Sequence, residues 1–256
     1  MPRYYKRKTY RRKRVYKRKA SRTYRPSKKL RTVVKNIVSR TMETKANQYT
    51  SAGVDVFGTI SNTNVLNIIP GIAQGTGQSN RIGNRIKPIR FTLRIALTCR
   101  DANSVYPFAS PTYFDIYIFK WKDANEAGGA PALVDMQAFL EDDNTAKQYT
   151  GLQTDGLRRL NDSQFQLLAK KRITLSNFLT TGNSSGRFQN TNPNRTLYFD
   201  ITKHVKKTWM YEDALSQVNN DNLWLAIGAT QTDGTSLGSS VIGNYQFISE
   251  IKYKDA

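Results

Sequence analysis

The chain has 256 residues, enough for one large β domain or two small ones, and carries 40 Lys and Arg against 19 Asp and Glu for a net charge of +21. Its single cysteine, Cys99, excludes an intramolecular disulfide, and with only one histidine, His204, the usual zinc clusters are excluded by count. The longest apolar stretches, such as Leu223–Ile227, are far too short to span a bilayer, and no apolar segment follows the basic start as a signal peptide requires.

The expectation is therefore a soluble intracellular product, stabilised by burial in a reducing compartment. The N-x-S/T matches at Asn161, Asn183 and Asn194 are then chance. No cofactor or metal is expected.

The charge is unevenly spread. Residues 1–42 hold 18 of the 40 basic side chains and no acid, and Glu43 is the first carboxylate. The rest of the chain has 22 basic and 19 acidic groups, a net of only +3. A nearly neutral body with a strongly cationic tail points to a polyanionic partner.

Residues 1–27 contain almost nothing aliphatic besides Val15 and are expected to be disordered when free, since they have too little to bury to offset their ordering entropy. The cations there are Arg3, Lys6, Arg7, Lys8, Arg11, Arg12, Lys13, Arg14, Lys17, Arg18, Lys19, Arg22 and Arg25, interleaved with Tyr4, Tyr5, Tyr10, Tyr16 and Tyr24. Cations neutralise phosphates by counterion release, while guanidinium groups and tyrosine rings stack on unpaired bases. All these cations, with Tyr16, are candidate contacts to single-stranded nucleic acid without sequence preference. The runs Arg11-Arg12-Lys13-Arg14 and Lys17-Arg18-Lys19 also match a nuclear localisation signal. A mere solubility tail is the bland alternative, and 18 uncompensated cations argue against it.

Residues 28–45 form a second segment. Leu30, Val33, Val34, Ile37 and Val38 fall at the spacing of an amphipathic helix, with Ser27 as its N-cap. The stripe suits docking against the β domain or a neighbouring copy better than a membrane, since it has no Trp or Phe anchor.

From residue 46 onward the period becomes two. Alternation runs through Phe91–Thr98, Phe114–Phe119, Leu197–Thr202, Leu223–Ile227 and Tyr245–Tyr253, with shorter candidates at Val54–Phe57, Val65–Ile69 and Arg172–Leu175. That predicts about eight strands, each with one buried face, separated by long connections at 70–84, 101–112, 122–132, 177–195 and 231–241. Leu133–Leu140 and Met210–Leu215 are the two short helical candidates. The expected fold is all-β: a single eight-stranded jelly roll, a two-sheet sandwich with long loops, spanning 46–256.

Catalytic constellations are hard to assemble. His204 sits among Lys203, Lys206 and Lys207, a poor home for an imidazolium, and Cys99 ends an alternating strand as a rim or core residue. Glu141-Asp142-Asp143 reads as the charged end of a short helix more readily than as a divalent-metal site. The G-x-G at Gly75-Thr76-Gly77 is no phosphate loop, for its third glycine is misplaced and no Gly-Lys-Ser/Thr follows. No enzymatic activity is expected.

The run Gln74-Gly75-Thr76-Gly77-Gln78-Ser79-Asn80-Arg81-Ile82-Gly83-Asn84-Arg85-Ile86, leading straight into the Phe91 strand, resembles the coat proteins of small circular Rep-encoding single-stranded DNA viruses, the circovirus-like group. Arg81, Gly83 and Ile86 stand at the matching places, and the Arg/Lys/Tyr-rich start before a β-rich remainder is similar across the chain.

The resemblance implies a jelly roll with its arm directed inward, a closed icosahedral homo-oligomer of about sixty copies, assembly in the host nucleus, import by the nuclear machinery, and surface loops that meet a host receptor. About sixty arms would bring roughly a thousand positive charges, enough to neutralise a large part of a genome of order two thousand nucleotides.

Arg81 and Arg85 either touch genome inside the shell or brace the turn before the strand. Lys170, Lys171, Arg172, Lys203, Lys206 and Lys207 are secondary candidates for a basic interior surface.

Three rivals remain. A cellular, ribosomal-protein-like nucleic-acid-binding module would carry basic residues throughout its folded part. A metal-dependent nuclease would need carboxylates converging on Glu141–Asp143. The coat of a small RNA or satellite virus differs from the first reading only in its cargo, which arm composition does not distinguish.

Overall fold

The computed structural model describes residues 27–99, 111–122, 133–143, 145–175, 194–232, 234, 236 and 238–255. The chain divides into two compact units, Met1–Thr41 and Met42–Ala256. In the first, α1 (Lys28–Thr41) starts where Ser27 caps it: the Leu30 amide donates to Ser27 Oγ at 3.2 Å and the Arg31 amide to the Ser27 carbonyl at 3.0 Å. Leu30, Val33, Val34 and Ile37 share one face and are exposed.

The second unit opens with β1 (Lys45–Thr50), β2 (Val54–Phe57), β3 (Val65–Asn67), β4 (Arg85–Cys99) and β5 (Thr112–Trp121). An excursion follows, with α2 (Leu133–Gln137), β6 (Leu140–Asp142), β7 (Thr145–Lys147) and β8 (Arg159–Leu160). The remaining strands are β9 (Phe165–Leu175), β10 (Asn194–Asp200), β11 (Trp209–Met210), β12 (Trp224–Gln231) and β13 (Val241–Asp255).

The main sheet runs β10-β4-β13-β2-β12-β5-β9, with β1 on β13, β11 on β4 and β3 on β12. Strand β2 links two halves, pairing antiparallel with β13 and through one parallel bridge with β12. The halves face each other across one core. Phe91, Leu93, Ile95 and Leu97 of β4 and Phe247 and Ile251 of β13 share a cluster with Phe114, Ile116 and Ile118 of β5 and Leu225 and Ile227 of β12. The domain is thus an all-β sandwich, and its alternating strands are those the period-two pattern marks.

A second core lies on the far side of β5 and β12. Tyr117, Phe119, Trp224 and Ala226 pack there against Met136, Phe139, Leu140, Tyr149 and Leu160 from the excursion. Its rings meet edge to face, with Phe139 5.3 Å from both Tyr117 and Phe119. β12 is consequently buried along its whole length, whereas the sequence predicts one buried face per strand.

The helical candidates also change. The first is helical only to Gln137, and Leu140 already belongs to β6, which makes a small sheet with β7 and β8. Met210–Leu215 is not helical; Met210 ends β11, and Tyr211 bridges to Val218. Glu141 and Asp142 lie on β6 rather than closing a helix. The connections 101–110, 123–132 and 176–193 lie outside the described residues.

Candidate nucleic-acid interface

The arm candidates from Arg3 to Arg25, both basic runs among them, lie outside the described residues. The folded domain places the others individually.

Arg81 is wholly buried. Its Nε donates to the Ile72 carbonyl at 3.3 Å, Nη1 to the Gly83 carbonyl at 2.6 Å and Asn84 Oδ1 at 3.0 Å, and Nη2 to the carbonyls of Glu212 at 3.1 Å and Leu215 at 2.7 Å. The guanidinium also lies 4.6 Å from the Tyr211 ring centroid. Every donor is committed to the chain itself. Of the two roles open to it, Arg81 therefore takes the bracing one, and as a free phosphate contact it is withdrawn. Arg85, at the start of β4, is exposed.

The run Lys170-Lys171-Arg172 separates in the same way. Arg172 forks onto buried Asp115, with Nε to Oδ1 and Nη2 to Oδ2 both 2.7 Å, and Tyr149 donates to the same Oδ2 at 2.9 Å. Lys170 donates to the Gly156 carbonyl at 2.7 Å and the Arg158 carbonyl at 3.1 Å, with its ammonium 5.0 Å from the Tyr117 ring centroid. Burial lowers the Lys170 pKa and pushes the Tyr117 and Tyr149 hydroxyls well above the ordinary tyrosine value. These groups tie the excursion to β5 and β9. Lys171 alone of the three stays exposed.

Lys203 and Lys207 are exposed; Lys206 is tethered by its amide to Asp221 at 2.9 Å and by its ammonium to the Asn220 carbonyl. His204 has its pKa lowered by burial first and then by Lys203 and Lys120. Cys99 is buried. Asp142 is engaged by Arg158 at 3.2 Å, and no group of three His, Cys, Asp or Glu suited to a metal occurs among the described residues.

Pairing register assembles a basic surface that no sequence run announces. On the half β1-β13-β4-β10, inward residues fill the core and outward ones alternate with them. Arg90 stands directly opposite Lys252, and Lys87 opposite Lys254. Arg94 faces Tyr198 of β10. Arg90 Nη2 donates to the Tyr198 hydroxyl at 3.0 Å, which helps hold that guanidinium charged.

The acids on this face hold the cations loosely: Glu250 lies 4.0 Å from Arg94 and 3.8 Å from Lys252, and Asp200 4.0 Å from Arg90. Asp200 is instead held by Thr202, whose hydroxyl donates at 2.6 Å and whose amide donates at 3.1 Å, lowering its pKa. About half of each of Arg90, Arg94, Lys252 and Tyr198 remains exposed. The sequence signal that would have found this surface is the outward phase of β4 combined with its partner's register.

No protein-family model and no curated protein matches the chain.

Proposed function

We propose that this chain is the coat protein of a small circular single-stranded DNA virus, a structural protein that assembles into a closed icosahedral shell and packages its genome through the basic arm. The charge division carries the reading: 18 cations and no acid in residues 1–42, joined to a nearly neutral β sandwich. Self-assembly explains a neutral body, for like-charged bodies would repel one another in a shell, while the arm supplies the counter-charge for nucleic acid.

Strand adjacency supports the jelly-roll form of the sandwich. Taking β1, β3, β4, β5, β9, β10, β12 and β13 as strands one to eight, one half reads 1-8-3-6 and the other 2-7-4-5. This is the neighbour pattern of two interlocked Greek keys. The Gln74–Ile86 run, on which the resemblance to circovirus-like coats rests, here holds the turn into β4 through Arg81. The arm's basic clusters would also direct the protein to the host nucleus, where such coats assemble.

The test is negative-stain electron microscopy of the full-length protein beside a chain lacking residues 1–42, both after nuclease treatment. Uniform closed shells whose nuclease-protected nucleic acid depends on the arm are expected. Dispersed small particles from both, across salt and pH, would return the reading to a cellular nucleic-acid-binding module.

A further inference from the structure

We infer that the exposed face of the half β1-β13-β4-β10 is a second nucleic-acid contact, in which Arg90, Arg94 and Lys252 take backbone phosphates of a single strand and Tyr198 stacks on a base. The inference rests on the packaging reading and adds the folded domain's own share in it.

Four observations on this face converge. First, register sets Arg90 across from Lys252, and like charges directly opposite one another weaken a ladder unless an anion lies over them. Second, the acids nearby stand at 3.8–4.0 Å with their cations about half exposed, so a phosphate can replace them without uncovering a buried charge.

Third, Arg90 donates to the hydroxyl of Tyr198, a ring that is 50% exposed. A half-exposed aromatic held beside guanidinium groups is the pairing that grips unpaired bases without reading their sequence. Arg90 and Arg94 are four residues apart on β4, about 13 Å, a span of a few nucleotides.

Fourth, β1, the strand that follows the basic segment in sequence, belongs to this same half. Ala46 pairs with Lys252. Covalent linkage of the basic residues to β1 raises the effective concentration of this half for any strand they hold. The opposite half offers nothing comparable, because the excursion covers the far side of β5 and β12 with a second core.

The experiment uses the full-length chain and a short oligodeoxythymidylate carrying 5-iododeoxyuridine. Irradiation is followed by peptide mapping, and affinity is measured from 50 to 300 mM salt for the parent, the triple variant Arg90→Gln/Arg94→Gln/Lys252→Gln and Tyr198→Ala. All four side chains are exposed, and thermal unfolding of each variant checks that the fold persists.

Cross-links at Tyr198 or its β4 neighbours are expected in the parent, besides those in the arm. The triple variant should reduce the steepness of log affinity against log salt by about 2, the share of three phosphate contacts to a single strand. Tyr198→Ala should weaken binding roughly five- to tenfold with the slope unchanged.

Binding with cross-links confined to the arm, and a triple variant indistinguishable from the parent, would overturn the inference and leave the packaging reading standing. A triple variant altered only in shell formation would also overturn it, marking the face as a contact between copies. Absence of binding by the parent would overturn both.

Discussion

Replacing Arg81 by alanine should be among the most damaging single changes in the domain. The guanidinium makes five hydrogen bonds, four of them to backbone carbonyls drawn from two loops: Ile72 and Gly83 on one side, Glu212 and Leu215 on the other. Its own backbone is held as well, by the Arg81 amide to the Ala73 carbonyl and the Gly75 amide to the Arg81 carbonyl, both 3.0 Å. A typical hydrogen bond contributes about 1 kcal/mol net, and a buried acceptor left without its donor costs about 1–3 kcal/mol. Some of the carbonyls would be reached by water, so the loss should come to about 3–5 kcal/mol.

In a domain of this size that corresponds to a fall in Tm of roughly 10 °C. Arg81→Lys keeps the charge but offers three donors where five bonds are made, and should lose about half as much. Arg85→Ala, four residues on and exposed, should stay within about 0.5 kcal/mol of the parent. Urea unfolding of unassembled protein, followed by tryptophan fluorescence, reports all three. If Arg81→Ala unfolded within about 1 kcal/mol of the parent, the bracing role would be refuted.

Asp115→Asn puts an amide where Arg172 forks and Tyr149 donates, and should cost about 2–3 kcal/mol, somewhat below a fully enclosed pair because Arg172 is partly exposed; an unchanged urea midpoint would count against it. Gly228→Ala drives a Cβ into the Tyr149 ring, so the ring must shift away from Asp115. In a double-mutant cycle with Asp115→Asn its loss should be less than additive, and strict additivity would separate the two sites.

His204, the sole histidine, gives one imidazole resonance set, which should titrate below 6.5. Its folded pKa is depressed, so its contribution to stability is complete above 6.5 and declines as pH falls from there towards the folded value. A titration midpoint at or above 6.5 by NMR would contradict the assignment.

The sandwich strands were legible where one face is buried and the other wet. In β4, Phe91, Leu93, Ile95 and Leu97 are buried and Arg94, Ala96 and Thr98 between and beyond them are exposed, so from Leu93 onward the phase alone tells inside from outside. Strands β6, β7, β8 and β11 have two or three residues and carry no period. β1 (KANQYT) is too polar to announce itself and holds its place through its ladder with β13. β12 showed its alternation, but not that both faces are covered, because the second layer comes from Met136 to Leu160, far away in sequence.

Legibility of the site divides on the same ground. The arm's chemistry is written locally as a run of one charge. Arg90 and Lys252 are 162 positions apart and meet only through the β4–β13 register.

Near-neutrality of residues 43–256 therefore does not mean an evenly mixed surface. Three of the domain's acids are drawn inside: Asp115 onto Arg172, Asp155 onto Arg158, and Asp221 onto Lys120 at 2.5 Å. Asp115 with Arg172 joins the excursion to β5 and β9 through the Tyr149 hydroxyl, and Asp155 with Arg158 ties the excursion together internally, so charge there serves cohesion and is largely hidden from solvent. On the other half Arg90, Arg94 and Lys252 stay outward, held by acids only at 3.8–4.0 Å, while Lys45 of β1 turns in to Asp255 of β13 at 2.9 Å. On the proposed packaging reading, stability and polyanion affinity therefore reside in different charged groups. A variant that loosens the Asp115 fork should lose stability without changing the salt slope of nucleic-acid binding, and one that neutralises Arg90, Arg94 and Lys252 should do the reverse.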